Sequence, residues 1–201
     1  MSRIETDRLI LRRWIDADRE PFARINADSR VMEFIGPPLT PAASDALIHR
    51  ARDHFDRHGF GPWAAELKDT GTLIGFVGLV VPSFEAHFTP CVEIGWRLAY
   101  EYWGLGLATE AAREALRVGF DEFGLNEVVS FTTVGNARSR RVMEKLGMTR
   151  NPADDFDHPR VPEGSPLRPH VLYRLLKWGS LAVCGRLPIG HPASSPPKSG
   201  D

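Results

Sequence analysis

The chain has 201 residues with 42% apolar content, enough to bury one sizeable core, so a single folded domain is the default expectation. Lys+Arg 25 against Asp+Glu 26 leaves a net charge of -1, and no basic field argues for nucleic acid or a membrane surface as partner. Cys91 and Cys184 make neither a disulfide framework nor a metal-ligand cluster. That fits a reducing, cytoplasmic setting. Arg3, Glu5, Asp7 and Arg8 make the start too polar for a signal peptide, and no apolar run reaches membrane-span length.

Thr6 to Arg13 alternates Leu9 and Leu11 with charged residues, as a first strand does. Asp16 is placed to cap a helix through about Asn26, with Pro21 disturbing its early part. After the Gly36-Pro37-Pro38 break, Thr40 and Pro41 read as an N-cap followed by proline at the first helical position. That helix carries Ala46, Leu47, Ala51 and Phe55 on one side and ends at Gly59. Phe60 to Leu67 is a strand, Asp69-Thr70-Gly71 a hairpin turn, and Leu73 to Val81 so apolar that it must be a central strand covered on both faces. Pro82 to Pro90 is a loop.

The next stretch changes period. Val92, Ile94, Trp96 and Leu98 alternate with Glu93, Gly95 and Arg97, whereas Ala108, Ala112, Leu116, Gly119 and Phe123 recur at helical spacing. Between them lie Gly104 and Gly106. A strand that runs through a glycine turn into a helix presents unpaired N–H groups at the positive end of a helix dipole. On this stretch alone, an anion site and a merely tight turn both remain open. The spacing lacks the third glycine of a dinucleotide fold and the G-K-[S/T] of a P-loop, which argues against both. Glu127 to Thr133 is another strand. Asn136 caps a helix carrying Val142, Met143 and Leu146, closed by Gly147. Asn151 to Pro169 reads as a loop, His170 to Leu176 as a last strand, and 179–201 as a flexible Pro/Gly/Ser-rich tail beyond a domain spanning 1–178. The order β-α-α-β-β-β-α-β-α-β describes an α+β, three-layer α/β/α fold: a mixed, mostly antiparallel sheet with helices on both faces.

E-Y-W-G-L-G-L-A-T-E-A at Glu101 to Ala111, N-A-R-S-R-R-V-M-E-K-L-G-M at Asn136 to Met148 and T-D-R-L-I-L-R-R-W at Thr6 to Trp14 together resemble the GNAT superfamily of N-acetyltransferases. Within it, the chain is similar to the Rim-type branch that acetylates N-termini of ribosomal proteins; the resemblance covers roughly residues 4–178. It implies an acetyl-CoA-dependent enzyme, without metal, that acetylates a primary amine by direct attack in a ternary complex. A peptide or protein N-terminus is the favoured acceptor. The alternatives are a small-molecule amine, a non-catalytic acyl-CoA sensor and a nucleotide-binding module unrelated to coenzyme A. Nucleic acid and membrane are not expected partners, and either a monomer or a homodimer is compatible.

By the same resemblance, main-chain N–H groups of Tyr102, Trp103, Gly104, Leu105, Gly106 and Leu107 hold the coenzyme's pyrophosphate, and Ile94 and Trp96 pair with its pantetheine arm. Glu101 stands where the family has Gln or Arg, so its carboxylate should turn away from the phosphates. Arg138, Arg140, Arg141 and Lys145 either meet the 3′-phosphate or form an exposed basic face. The Ile94 N–H is the oxyanion donor, and Asn136 caps the helix bearing Ser139. Met143 occupies the place of the tyrosine that many relatives use as leaving-group donor, which leaves Ser139 in that role with Tyr173 in reserve. Glu93 is the candidate base, its bland alternative being an ion pair with Arg97. His87, His170 and the Asp154, Asp155 and Asp157 cluster are the other options. Trp14, Trp63 and Trp96 read as core.

Overall fold

The computed structural model describes residues 3–177. The tail assigned to 179–201, with Cys184, lies outside the described residues, as does Trp178. Among the described residues, no helix is long and apolar enough to cross a membrane.

The first predicted strand, Thr6 to Arg13, covers the turn and second strand of a hairpin whose first strand precedes it. β1 (Arg3–Glu5) and β2 (Leu9–Arg12) pair antiparallel because the chain turns at Thr6, whose N–H donates to the Leu9 carbonyl (2.9 Å). A 3-10 turn at Asp16–Asp18 precedes α1 (Arg19–Ala27), so the helix begins later than expected. Asp18, not Asp16, makes the cap-like contact, accepting from the Ile15 N–H at 2.8 Å. A short helix, α2 (Ser29–Met32), follows; then α3 (Pro41–His58) starts and stops as expected. Thr40 Oγ1 accepts from the Ala43 N–H (3.2 Å) and Gly59 closes the helix in the left-handed region.

β3 (Pro62–Leu67), β4 (Leu73–Val80) and β5 (Glu93–Leu98) continue the antiparallel sheet. α4 (Leu107–Asp121) leads to β6 (Glu127–Thr133), and α5 (Ala137–Lys145) to β7 (Thr149–Arg150). The stretch 151–169, a loop by sequence, holds β8 (Phe156–Asp157), a two-residue strand on β9 (Pro169–Leu176). Strand order is β1-β2-β3-β4-β5-β6-β9-β7. Among the described residues every pairing is antiparallel except β5 with β6.

β4 is the central strand covered on both faces. Phe76 meets Phe22 of α1 (ring centroids 6.2 Å), while Leu79, on the opposite face, packs on α4 at Gly119. A Cβ on Gly119 would lie 2.9 Å from Leu79 Cδ1, which explains a glycine in mid-helix despite its cost of about 1 kcal/mol. One core cluster joins Leu9, Trp63, Ile74, Ile94, Ala111 and Leu116 across these layers.

Candidate active site

The site forms where the sheet opens. β5 and β6 share a single register pair, Glu93 with Val129, and then part. Val129 N–H donates to the Val92 carbonyl (2.9 Å). Because main-chain polar groups alternate along a strand, Ile94 and Trp96 also aim theirs toward β6, and among the described residues Trp96 has no strand opposite it on that side. In the parallel ladder the partner of that bond is the Ile94 N–H on the Val129 carbonyl, so the expected oxyanion donor is committed to the sheet and the open edge begins at Trp96.

Beyond β5, a 3-10 turn at Tyr100–Tyr102 uses the Tyr102 N–H on Ala99 O (3.0 Å) and the Trp103 N–H on Tyr100 O (3.1 Å). Those two expected donors are thus already committed, and the free series begins at Gly104. From Gly104 to Thr109 no main-chain N–H has an acceptor among the described residues. They stand at the N-terminus of a fifteen-residue helix, where partial positive charge collects. Gly104 and Gly106 have φ of +78° and +80°; a Cβ on Gly104 would meet nothing within 4 Å, so the backbone conformation, not crowding, requires glycine there.

The N-terminal hairpin braces this turn. Arg8 donates to the Leu105 carbonyl (3.0 Å) and to Glu110 Oε2 (2.7 Å), while Thr6 Oγ1 donates to Glu110 Oε1 (2.6 Å). Leu105 itself is exposed, and its anchored carbonyl keeps the neighbouring N–H groups turned outward.

A cavity of about 450 Å³ lies over the turn, bounded by Trp96, Gly104, Gly106 and Leu107 on one side and α5 on the other. Arg138, Arg141 and Lys145 line it from α5; Arg140 instead reaches Val134 O (3.3 Å) and Tyr173 (3.4 Å). Glu101 is exposed and does not line it.

A second cavity, of about 460 Å³, shares Phe34, Ile35, Trp96, Arg97, Asn136 and Ser139 with the first. Glu93 lies on its floor, where the strands separate. The expected ion pair with Arg97 does not form: the Arg97 Nη1 donates to Asn26 Oδ1 at 2.6 Å, and Glu93 has no hydrogen-bond or ionic partner among the described residues. Burial pushes its carboxyl up to about 8. Asn136 Oδ1 caps α5 through the Ser139 N–H (3.2 Å) and its amide donates to Thr132 (2.9 Å). This holds Ser139, whose hydroxyl has no partner among the described residues, at the wall between the cavities. Buried Met143 lies one turn on and also lines the second cavity.

Other candidates fall elsewhere. Tyr173 lines neither cavity; its hydroxyl donates to Glu144 (3.0 Å) on the far side of α5, so the reserve donor is out of place. Asp154 pairs with Arg174 (2.9 Å), Asp155 with Arg150 and Asp157 with Arg168 (3.4 Å), and none of the three lines either cavity. His87 packs on Phe88 outside both cavities. His170 and His158 do line the second cavity, and burial lowers both, His158 to about 4. Trp14 and Trp63 are core, but half-buried Trp96 lines both cavities. Sequence reasoning misses Phe34, Asn26, Arg97 and Arg160 as site residues. A charged residue at position 97 of an inner strand is the available signal, masked by its spacing from Glu93.

A strand edge abandoned by its neighbour, a run of free main-chain N–H groups at a helix start and a lone carboxyl at the fork thus lie together. The chain belongs to the GNAT acetyltransferase family, whose family model, "Acetyltransferase (GNAT) domain", matches residues 8–149. It is 32% identical to YkkB of Bacillus subtilis over 148 residues, 73% of this chain and 85% of that one. With the N-acetyltransferase YnaD of the same organism it shares 28% over 176 residues, 87% and 96% of the two chains. A GNAT-family acetyltransferase from Bacillus anthracis superposes with a TM-score of 0.71 at 26% identity, covering 87% of this chain and 98% of that one. The ribosomal-protein-S5-alanine acetyltransferase of Vibrio fischeri shares the fold, with a TM-score of 0.69 at 15% identity over 88% and 97%. The Rim-type resemblance thus holds at the level of fold. The family uses acetyl-CoA, and the free N–H series, the open Trp96 edge and the basic wall of α5 suit such a co-substrate.

Proposed function

We propose that the chain transfers the acetyl group of acetyl-CoA to a primary amine, with both substrates bound at once across the Trp96–Ser139 wall. Free N–H groups from Gly104 onward take the pyrophosphate, Arg138, Arg141 and Lys145 the remaining phosphate charge, and the Trp96 edge the pantetheine arm. The carrying observation is Glu93, a carboxyl without a partner at the strand fork, raised by burial toward the pH at which a base works best.

In this reading the acceptor enters through the second cavity and loses its ammonium proton to Glu93. Its nitrogen attacks the thioester carbonyl carbon and then sheds its second proton to solvent, the Trp96 N–H on the open edge stabilises the charge that develops on oxygen, and the carbon–sulfur bond breaks. The Ser139 hydroxyl donates to the departing sulfur, and solvent replaces its proton. A peptide N-terminus is the acceptor suggested by the ribosomal-protein neighbour. The second reading, a small amine, is favoured by a chamber of only about 460 Å³.

Thiol release from acetyl-CoA across a panel of peptides and small amines tests the reading. Release that depends on the amine is the expected result. Tight acetyl-CoA binding without turnover of any amine would replace it with an acyl-CoA sensor.

A further inference from the structure

Among the described residues, Arg97 is a half-buried cation with no counter-ion. It lines both cavities, and the one hydrogen bond it makes there goes to a neutral amide, Asn26 Oδ1, at 2.6 Å. Asn26 is fully buried and is itself fixed by donating to Ser44 Oγ (2.8 Å). This relay aims the guanidinium without neutralising it. No carboxylate oxygen of the described residues comes within 4.0 Å, and Nε is buried without a partner.

Arg12 shows what the same fold does when an arginine is structural. Asp18 (2.8 Å) and Glu66 (2.7 Å) bracket it, and its ionised form gains. At Arg97 the opposite holds: burial pushes the guanidinium down to about 10. With only the Phe76 ring (5.7 Å to its centroid) and a neutral amide against it, such a charge gains from a carboxylate brought from outside.

The rest of the chamber has the same sign. Arg160 lines it, donating to Ser83 Oγ (2.8 Å) and to no carboxylate among the described residues. Burial holds the imidazoles of His158 and His170 in their neutral forms near pH 7, and the acid on the wall, Glu93, serves the reacting amine itself. A substrate with ammonium groups alone would therefore meet like charge. One that also carries a carboxylate supplies the missing partner.

We propose that the acceptor is a primary amine that bears a carboxylate, held by Arg97 while the amine faces Glu93. This rests on the acetyl-transfer reading and narrows its substrate class. Glu93 and Arg97 lie on one face of β5 with Gly95 between them. Four residues of strand separate their Cα atoms by about 13 Å, and both residues line the one chamber. The carboxylate has two possible sources, a small free amino acid or dipeptide, and an acidic residue close to the N-terminus of a longer peptide.

The test compares matched acceptors with acetyl-CoA and the full chain: alanyl-alanine with its amide, alanine with alaninamide, and longer C-terminally amidated peptides carrying aspartate or asparagine at the second position. The carboxylate member of a pair should be favoured by on the order of 10–100-fold in kcat/KM, the worth of a hydrogen-bonded charge. Arg97→Gln should abolish the ratio and leave the KM for acetyl-CoA unchanged. A ratio confined to small acceptors assigns the free-acid source, and one confined to the long peptides assigns the peptide source. Equal rates within every wild-type pair would overturn the inference while leaving acetyl transfer intact. No turnover by any member would remove the transfer reading and this inference with it. An Arg97→Gln variant that loses acetyl-CoA affinity but keeps the ratio would give Arg97 to the coenzyme instead. Should that variant not fold, the wild-type ratios decide alone.

Discussion

The two cavities that meet at Trp96 and Ser139 are built on opposite plans. The one over Gly104–Thr109 presents main chain: free N–H groups, a helix terminus and an open strand edge. Its neighbour is made of side chains drawn from far apart in the sequence, with Phe34 after α2, Glu93 and Arg97 on β5, Thr132 on β6 and His158 and Arg160 beyond β8. A main-chain site tolerates changes in most side chains and recognises a group common to many substrates. A side-chain chamber is specific, and each residue in it can be lost separately. Under the acetyl-transfer proposal, the first plan would fix the co-substrate and the second would be free to set the acceptor.

That contrast breaks most visibly at Glu93. Glu93→Gln keeps the shape of the chamber and removes the base, so kcat should fall by about 10²–10⁴ while the affinity for acetyl-CoA holds. Stopped turnover with unchanged binding, measured by calorimetry beside thiol release, is the signature. Wild-type kcat/KM should also climb about tenfold per pH unit and level off above about 8, following the Glu93 carboxyl. A flat profile together with an active glutamine variant would move the base elsewhere.

On the other side of the wall, Gly106→Val tests the main-chain plan. Gly106 has φ +80°, so any side chain there carries a strain of about 1–2 kcal/mol before it meets a ligand. Gly124, at φ +67° with nothing within 4 Å of where a Cβ would stand, lies past the end of α4 and lines neither cavity. Gly124→Val is therefore the matched control. Both variants should lose stability, but only Gly106→Val should also weaken coenzyme A binding, by roughly a hundredfold. Equal affinity in the two would remove the pyrophosphate from this turn.

The same division decides what can be read from the amino-acid sequence. Thr40-Pro41, the Gly104 and Gly106 turn and the Asn136 cap are local signals, legible because backbone geometry depends on a few adjacent residues. Of the hairpin at 3–12 only the second strand is read, because β1 has three residues and the turn, Thr6 to Leu9, carries no glycine or proline. β8 escapes notice because a two-residue strand has no periodicity. The chamber is less legible still. That Glu93 and Arg97 ignore each other depends on Asn26, distant in sequence and brought in by α1 packing on β4. Spacing along one strand cannot reveal a partner on another element.

The smallest expected effect is on stability, and it isolates burial from catalysis. Unfolded, the Glu93 carboxyl ionises near its ordinary 4.5; folded, it does so near about 8. Between those values the folded chain keeps a proton that the unfolded chain has released, so rising pH favours unfolding across this window. Above about 8 both states have lost the proton and the cost is complete. Glutamine does not titrate, so Glu93→Gln should gain on the wild type as pH rises from about 5 to about 9. Allowing for water that reaches the cavity, the gain should be on the order of 1–2 kcal/mol, or about 2–8 °C in Tm. Thermal melts at the two pH values measure it without any substrate. A difference in Tm between variant and wild type that is the same at both would mean that Glu93 is solvated as an ordinary surface acid. It would then be no better prepared to act as a base than Glu101, which stands in water a few residues away.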